Sequence, residues 1–266
     1  MSGLINSLQN PRVKFCVRLH DRRERRETGQ MLVEGFHELS LAWQAGVRLQ
    51  TLFFCPPLLR DGEAPLRAAI EAAGVESIEV SPEVLQKMTY REHPDAWLGV
   101  AHIPVTSLTT LDPGPLPLII LTENLEKPGN LGAILRSSDA LGATAVLVCA
   151  GRTDVHNPNV VRASKGSLFT VPVVECSNAD ALAWLNLHRI PVLAATPEGT
   201  CRFWDADLRS GVAIALGAEK EGLSLFWMDA ASLKVRIPLQ GRVNSLNVAQ
   251  AATLIGYEAL RQRSAP

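Results

Sequence analysis

From Pro117 onward the sequence repeats one local pattern: a short apolar run, a breaker, then a longer stretch with one apolar face. The runs fall at residues 118–121, 145–149, 171–174, 192–195, 212–216 and 233–237. They lack the alternation of a half-exposed strand, and many are rich in Val and Ile. Strands buried on both faces of a mostly parallel sheet look like this. After the first run, Leu131, Ile134, Leu135, Ser138 and Leu141 share one helical face. The last helix is expected to begin at Ser245, a good N-cap residue, and to bury a stripe of Leu246, Ala249, Ala252 and Leu260. The pattern predicts an α/β domain with a parallel sheet and, alone, goes no further.

Before this domain, residues 104–117 are rich in Pro, Gly and small polar groups, the composition of a connection. The expected division is a first domain over 1–104, a linker over 105–116 and a second domain over 117–266. In the first, helices are expected at 34–45 and around 64–73, and strands at 49–54, 77–80 and 97–102. That is a small α/β module. The whole chain of 266 residues carries a net charge of −1, but its first 30 residues are different. There Arg12, Lys14, Arg18, Arg22, Arg23, Arg25 and Arg26 outnumber Asp21, Glu24 and Glu27. The cluster at 22–26 is either a solvated helix face with interleaved acids or a surface that tracks phosphates.

The five cysteines are scattered and never spaced as Cys-x-x-Cys, which speaks against a disulfide framework or zinc site and for a reducing cytoplasm. The six histidines show no metal-ligand spacing, so no metal is expected. No signal segment and no apolar run of about 18 residues is present, so a soluble protein is expected.

Three stretches stand out for chemistry. Residues 124–136 read Asn-Leu-Glu-Lys-Pro-Gly-Asn-Leu-Gly-Ala-Ile-Leu-Arg, with Asn130 and Arg136 around a Pro-Gly turn that opens a helix. A helix start favours an anion, and the Arg136 guanidinium is a planar fork suited to phosphate, or equally to a neighbouring carboxylate. Residues 217–222, Gly-Ala-Glu-Lys-Glu-Gly, follow the fifth apolar run directly. They match neither a P-loop nor a dinucleotide fingerprint, and alone they fit a plain strand-to-helix turn. Residues 237–248 read Ile-Pro-Leu-Gln-Gly-Arg-Val-Asn-Ser-Leu-Asn-Val. Capping accounts for Ser245 but not for the whole phrase.

Together, in this order, the three stretches resemble the signature motifs of the SpoU (TrmH-like) class of RNA 2′-O-ribose methyltransferases, with Leu239 where the class often has methionine. The resemblance implies an α/β fold whose C-terminal segment threads a deep trefoil knot, S-adenosyl-L-methionine as cofactor, and a homodimer. It implies catalytic-site roles for Asn130, Arg136, Glu219, Ser245 and Asn247. It places the cofactor against Thr196, Gly217, Ile237, Leu239 and Leu246, with Gly217 letting the main chain approach it. Glu221 carries no implied role. Asn10-Pro11-Arg12-Val13-Lys14 and Leu32-Val33-Glu34-Gly35 resemble the ribosomal-protein-like substrate-binding domain of rRNA-directed members. An rRNA substrate follows, held in part by Arg12, Lys14, Arg22, Arg23, Arg25 and Arg26. The rivals are a tRNA-directed enzyme and an RNA-binding relative without catalysis. A nucleotide-binding oxidoreductase lacks its glycine fingerprint.

Overall fold

The computed structural model describes residues 4–264. Its first elements are α1 (Pro11–Arg18), α2 (Arg22–Thr28), β1 (Gln30–Glu34), α3 (Phe36–Gln44), β2 (Leu49–Phe54), α4 (Ala64–Ala72), β3 (Glu76–Glu79), α5 (Pro82–Met88) and β4 (Trp97–His102). The caps explain where the first helices start. Asn10 accepts from the Arg12 N–H at 2.9 Å with Pro11 at the first helical position, and Asp21 accepts from the Arg23 N–H at 2.7 Å. The four strands form one sheet in the order β1-β4-β2-β3, antiparallel except between β2 and β3. Val13, Cys16, Leu32, Phe53, Leu85 and Leu98 are among the residues of its core.

One expected boundary is wrong here. Glu34 does not open a helix; it ends β1, and α3 begins only at Phe36. Between them Gly35 takes φ 103°, and a Cβ there would lie 2.6 Å from Glu38 Oε2. Only glycine fits, so the chain turns at Gly35 and cannot be helical through it.

The later elements are β5 (Leu118–Glu123), α6 (Pro128–Ala140), β6 (Ala145–Cys149), α7 (Pro158–Ser164), β7 (Val173–Cys176), α8 (Asn178–Leu187), β8 (Val192–Ala195), β9 (Cys201–Arg202), β10 (Val212–Leu216), α9 (Leu225–Ala230), β11 (Leu233–Arg236) and α10 (Val248–Ser264). Seven strands pair, all in parallel, in the order β7-β6-β5-β10-β8-β11-β9. The central β5, β6 and β10 are buried along their whole length, which is why their sequences do not alternate. Helix α10 packs on α6, where Ser137 and Thr253 join hydroxyls at 2.7 Å.

The described chain divides into two compact units. One runs up to Val105 and also takes in His156–Thr170; the other holds Thr106–Val155 and the chain from Val171 onward. The excursion His156–Thr170, expected to lie in the second domain, groups with the first because α7 packs on β1 and buries Val160 and Val161. The five cysteines are free thiols.

Candidate active site

Parallel pairing brings several of the expected site residues to one edge of the large sheet. Leu216 of β10 is in register with Ala195 of β8 and with Thr122 of β5, and Val235 of β11 is in register with Ala195. Gly217, Thr196 and Ile237 are therefore the residues on which three neighbouring strands run out. The Thr196 N–H donates to the Val235 carbonyl at 2.9 Å, which ties two of these ends together. Ligands of open α/β sheets bind at this edge, where the strand ends expose backbone groups.

The chain that follows β11 completes the edge. Among the described residues, the main-chain groups of Ile237, Leu239 and Leu246 have no hydrogen-bond partner, although all three residues are half-buried. Backbone donors and acceptors partly withdrawn from water need a partner, so this segment is suited to a ligand that bonds to main chain and lies against apolar side chains.

Beside it lies a hydrogen-bonded trio. Asn247 Nδ2 donates to Asn130 Oδ1 at 3.1 Å, and Asn130 Nδ2 in turn donates to Glu219 Oε1. Each residue comes from a different expected motif. Asn130 sits in the first turn of α6, and Glu219 lies in the turn closed by the Gly222 N–H on the Ala218 carbonyl at 3.0 Å. The expected helix start is corrected here: the cap of α10 is Asn247, not Ser245. Asn247 Oδ1 accepts from the Ala249 N–H at 3.0 Å, while Ser245 is exposed and reaches only Asn244. One amide thus caps a helix through its oxygen and anchors the trio through its nitrogen.

Arg136 lies outside the trio. It is exposed on α6 and forms no hydrogen bond or ion pair with any described residue, so its guanidinium is free for an anion. Glu221 is exposed and only 3.9 Å from Arg152, a surface charge as expected. Gly217 carries a steric constraint of its own beside the role the resemblance implies. A Cβ there would collide with the backbone of Gly222 and Leu223, so this glycine is needed to close the turn that carries Glu219.

Glu123, at the end of β5, escaped the sequence argument. It is buried, and its carboxylate accepts from Asn178 Nδ2 at 2.7 Å, the Ser224 N–H at 2.8 Å and Ser224 Oγ at 2.7 Å. It fastens the end of the 217–224 turn, where α9 begins, to the strand that leads to Asn130. The signal was an acid directly after an apolar strand, just past the run at 118–121.

Of the basic residues near the N-terminus, Arg25 does not belong to a nucleic-acid surface. It is buried, and its guanidinium donates to the carbonyls of Leu19 and His20 at 2.7 and 2.8 Å, satisfying the end of α1. Arg12 bridges to Glu76 at 2.6 Å, and Arg23 bridges to Glu27 at 2.6 Å on a largely exposed side chain. Lys14, Arg22 and Arg26 are exposed. Among the described residues, no three His, Cys, Asp or Glu side chains cluster as a metal site, and no helix is long and apolar enough to cross a membrane.

Comparison with known proteins finds two family models along the chain. A model described as SpoU rRNA Methylase family matches residues 117–257, and one described as MRM3-like substrate binding domain matches residues 10–99. The chain is 34% identical over 256 residues to a 23S rRNA (uridine(2479)-2′-O)-methyltransferase of Streptomyces viridochromogenes, covering 92% of this chain and 87% of that protein. It is 27% identical to the 23S rRNA (guanosine(2553)-2′-O)-methyltransferase RlmP of Bacillus subtilis, covering 95% and 97%. Among solved structures, an RNA 2′-O ribose methyltransferase superposes with a TM-score of 0.88 at 42% identity, covering 98% of this chain and 99% of that one. An AdoMet-bound rRNA methyltransferase from Sinorhizobium meliloti gives 0.90 at 28% identity, covering 98% of both.

Proposed function

The chain belongs to the SpoU rRNA Methylase family, and we infer that it is an S-adenosylmethionine-dependent enzyme that methylates a ribose 2′-hydroxyl of 23S rRNA. The observation that carries this conclusion is the trio of Asn130, Glu219 and Asn247, assembled from three distant motifs at the edge where β10, β8 and β11 end.

The unpaired main chain at Ile237, Leu239 and Leu246, with the strand ends at Thr196 and Gly217, fits S-adenosylmethionine. Its adenine can bond to backbone groups and lie against the apolar side chains. The cofactor supplies an electrophilic methyl group on a sulfonium centre. The protein's task is to bring one hydroxyl to that group and lower the cost of losing its proton. Arg136 holds the phosphate next to the target ribose and stabilises negative charge building on the hydroxyl oxygen. A guanidinium does not readily give up a proton, so this role is electrostatic. The trio fixes the rim of the pocket: Asn247 orients Asn130, Asn130 orients Glu219, and Glu219 keeps further acceptor positions for a hydroxyl. Ser245 adds a further polar group there.

The first unit, up to Val105, is the RNA-binding part, and the sheet domain from Thr106 onward is the catalytic part, with Leu111 of the expected 105–116 linker buried in its core. Lys14, Arg22, Arg23 and Arg26, with Arg12, contact phosphates. The deep knot belongs to the same proposal and is supported by the return of the chain, after β11 and the 237–247 segment, as α10 against α6 and β10. The enzyme works as a homodimer, without a metal, in the cytoplasm. Leu254 and Tyr257, one turn apart and exposed on α10, support the dimer, and five free thiols suit a reducing compartment.

The decisive experiment incubates the purified protein with methyl-labelled S-adenosylmethionine and, in parallel, with unmodified 23S rRNA, free and in 50S particles, and with unmodified tRNA. The modified position is then mapped by its resistance to alkaline cleavage. Label in a ribose-protected position supports the assignment. Cofactor binding without label in any substrate, or label only in tRNA, overturns it.

A further inference from the structure

The Leu32-Val33-Glu34-Gly35 stretch is left unused by the methyl-transfer site. Glu34 is buried at the end of β1, and its carboxylate accepts two backbone N–H groups from far along the chain. These are Tyr90 at 2.6 Å on Oε1 and Arg91 at 3.2 Å on Oε2. The Arg91 side chain adds to the clamp, donating to the Glu34 carbonyl at 3.1 Å and to Glu38 at 2.6 Å. Asp95 closes the loop by accepting from the N–H groups of Phe36 at 3.1 Å and Trp97 at 3.2 Å. A surface loop between α5 and β4 is thus pinned by three acids and an arginine.

What this clamp presents outward is an aromatic ring. Tyr90 is 48% exposed and stands edge-to-face on His20, with centroids 5.6 Å apart at 76°. His20 is itself fixed, its Nε2 lying 2.9 Å from the Met88 carbonyl. Lys87, three residues before Tyr90, is exposed, and its charge together with that of Arg25 opposes protonation of His20. A held, exposed aromatic face suits an unpaired base, and exposed Lys87, three residues away, suits a flanking phosphate.

We propose that Tyr90 is a stacking platform for an unpaired nucleotide of the RNA substrate, and that Glu34 is the positioning residue that holds it in place. The proposal rests on the assignment of an RNA-methylating activity. It is tested on whichever substrate the wild-type protein methylates, protein-free 23S rRNA or the 50S particle, so failure of that assignment shows first as an inactive wild type. Given an active wild type, Tyr90→Ala raises KM for RNA about ten-fold or more, the scale of losing one base–aromatic stack. Tyr90→Phe stays within about two-fold of wild type, because it keeps the π-face on which stacking depends. Glu34→Gln raises KM for RNA, while kcat at saturating RNA and the Kd for S-adenosylmethionine are unchanged in both Tyr90→Ala and Glu34→Gln. Tyr90 is exposed, so its replacement folds, which a thermal melt verifies. A Tyr90→Ala enzyme with wild-type KM overturns the proposal, as does a Tyr90→Phe enzyme as impaired as the alanine variant.

Discussion

Arg136 and Asn130 lie six residues apart on one helix, yet only Asn130 is held by neighbours. That difference separates their expected phenotypes. Removing Arg136 deletes a free charge and leaves the local bonds untouched, so Arg136→Ala is expected to lower kcat by roughly 10²–10³, as loss of one oxyanion-stabilising donor does. Its melting temperature and cofactor affinity stay at wild-type values; a parallel loss of cofactor binding would instead assign Arg136 to folding. Asn130 links two partners, and its removal strands both. Asn130→Ala and Asn247→Ala should therefore be non-additive in kcat/KM, with a coupling of about 0.5–3 kcal/mol in a double-mutant cycle. Simple additivity would dissolve the trio as a unit.

Glu34 offers a test by pH at the same scale. Burial, the largest influence, pushes its carboxyl pKa above the ordinary value of 4.5, while the N–H groups of Tyr90 and Arg91 oppose the rise. An acid whose folded pKa is raised binds its proton more tightly in the native state, so its contribution favours folding below 4.5 and fades as pH rises through the folded value. The stability of Glu34→Gln relative to wild type is therefore expected to climb across that window and then level off. Chemical denaturation of both proteins between pH 4 and 7 measures it, and a falling difference would show that the hydrogen bonds outweigh burial.

At the scale of elements, strands buried on both faces announced themselves: the runs at 192–195 and 212–216 coincide with β8 and β10. Boundaries were less legible wherever a tertiary contact set them. Glu34 looks like a helix residue by propensity, but Gly35 turns the chain and the carboxylate is claimed by a loop 56 residues away. Ser245 looks like the cap, yet Asn247 takes that place because Asn130 holds its amide. The two-residue strand β9 is too short to carry a pattern. The three motif stretches were visible as chemistry, whereas Glu123 was not, since its partners Asn178 and Ser224 lie 55 and 101 residues further on. Gly217 gives this scale its prediction. Gly217→Ala must displace the main chain at Gly222 and Leu223, so a loss of about 1–3 kcal/mol is expected, the usual cost of overpacking. Thermal unfolding reads that loss, and activity falls with it as Glu219 moves. An unchanged melt would mean that the turn opens freely.

At the scale of the whole molecule, net charge gave no hint of an RNA partner, because the basic surface near the N-terminus is offset by acids elsewhere in the chain. Reversing Arg23 and Arg26 to glutamate is expected to weaken RNA binding and to flatten the dependence of log K on log salt by about one for each phosphate no longer neutralised. The same change at Arg25 should instead unfold the first unit, since that side chain is buried against carbonyls. Tyr257→Glu places a charge beside Leu254 on α10 and is expected to give monomers with reduced activity. Light scattering coupled to gel filtration decides this, and a fully active monomer would remove the dimer from the mechanism.

The grouping of His156–Thr170 with the N-terminal unit bears on any attempt to express the parts separately. Cutting in the Pro-rich stretch around residue 106 would seem natural, yet the downstream fragment would carry α7 away from β1, its packing surface. Val160, Val161 and Leu168 would then face water and favour aggregation. A well-behaved catalytic fragment therefore calls for trimming or recoding that excursion, and the upstream fragment needs the same fifteen residues grafted back.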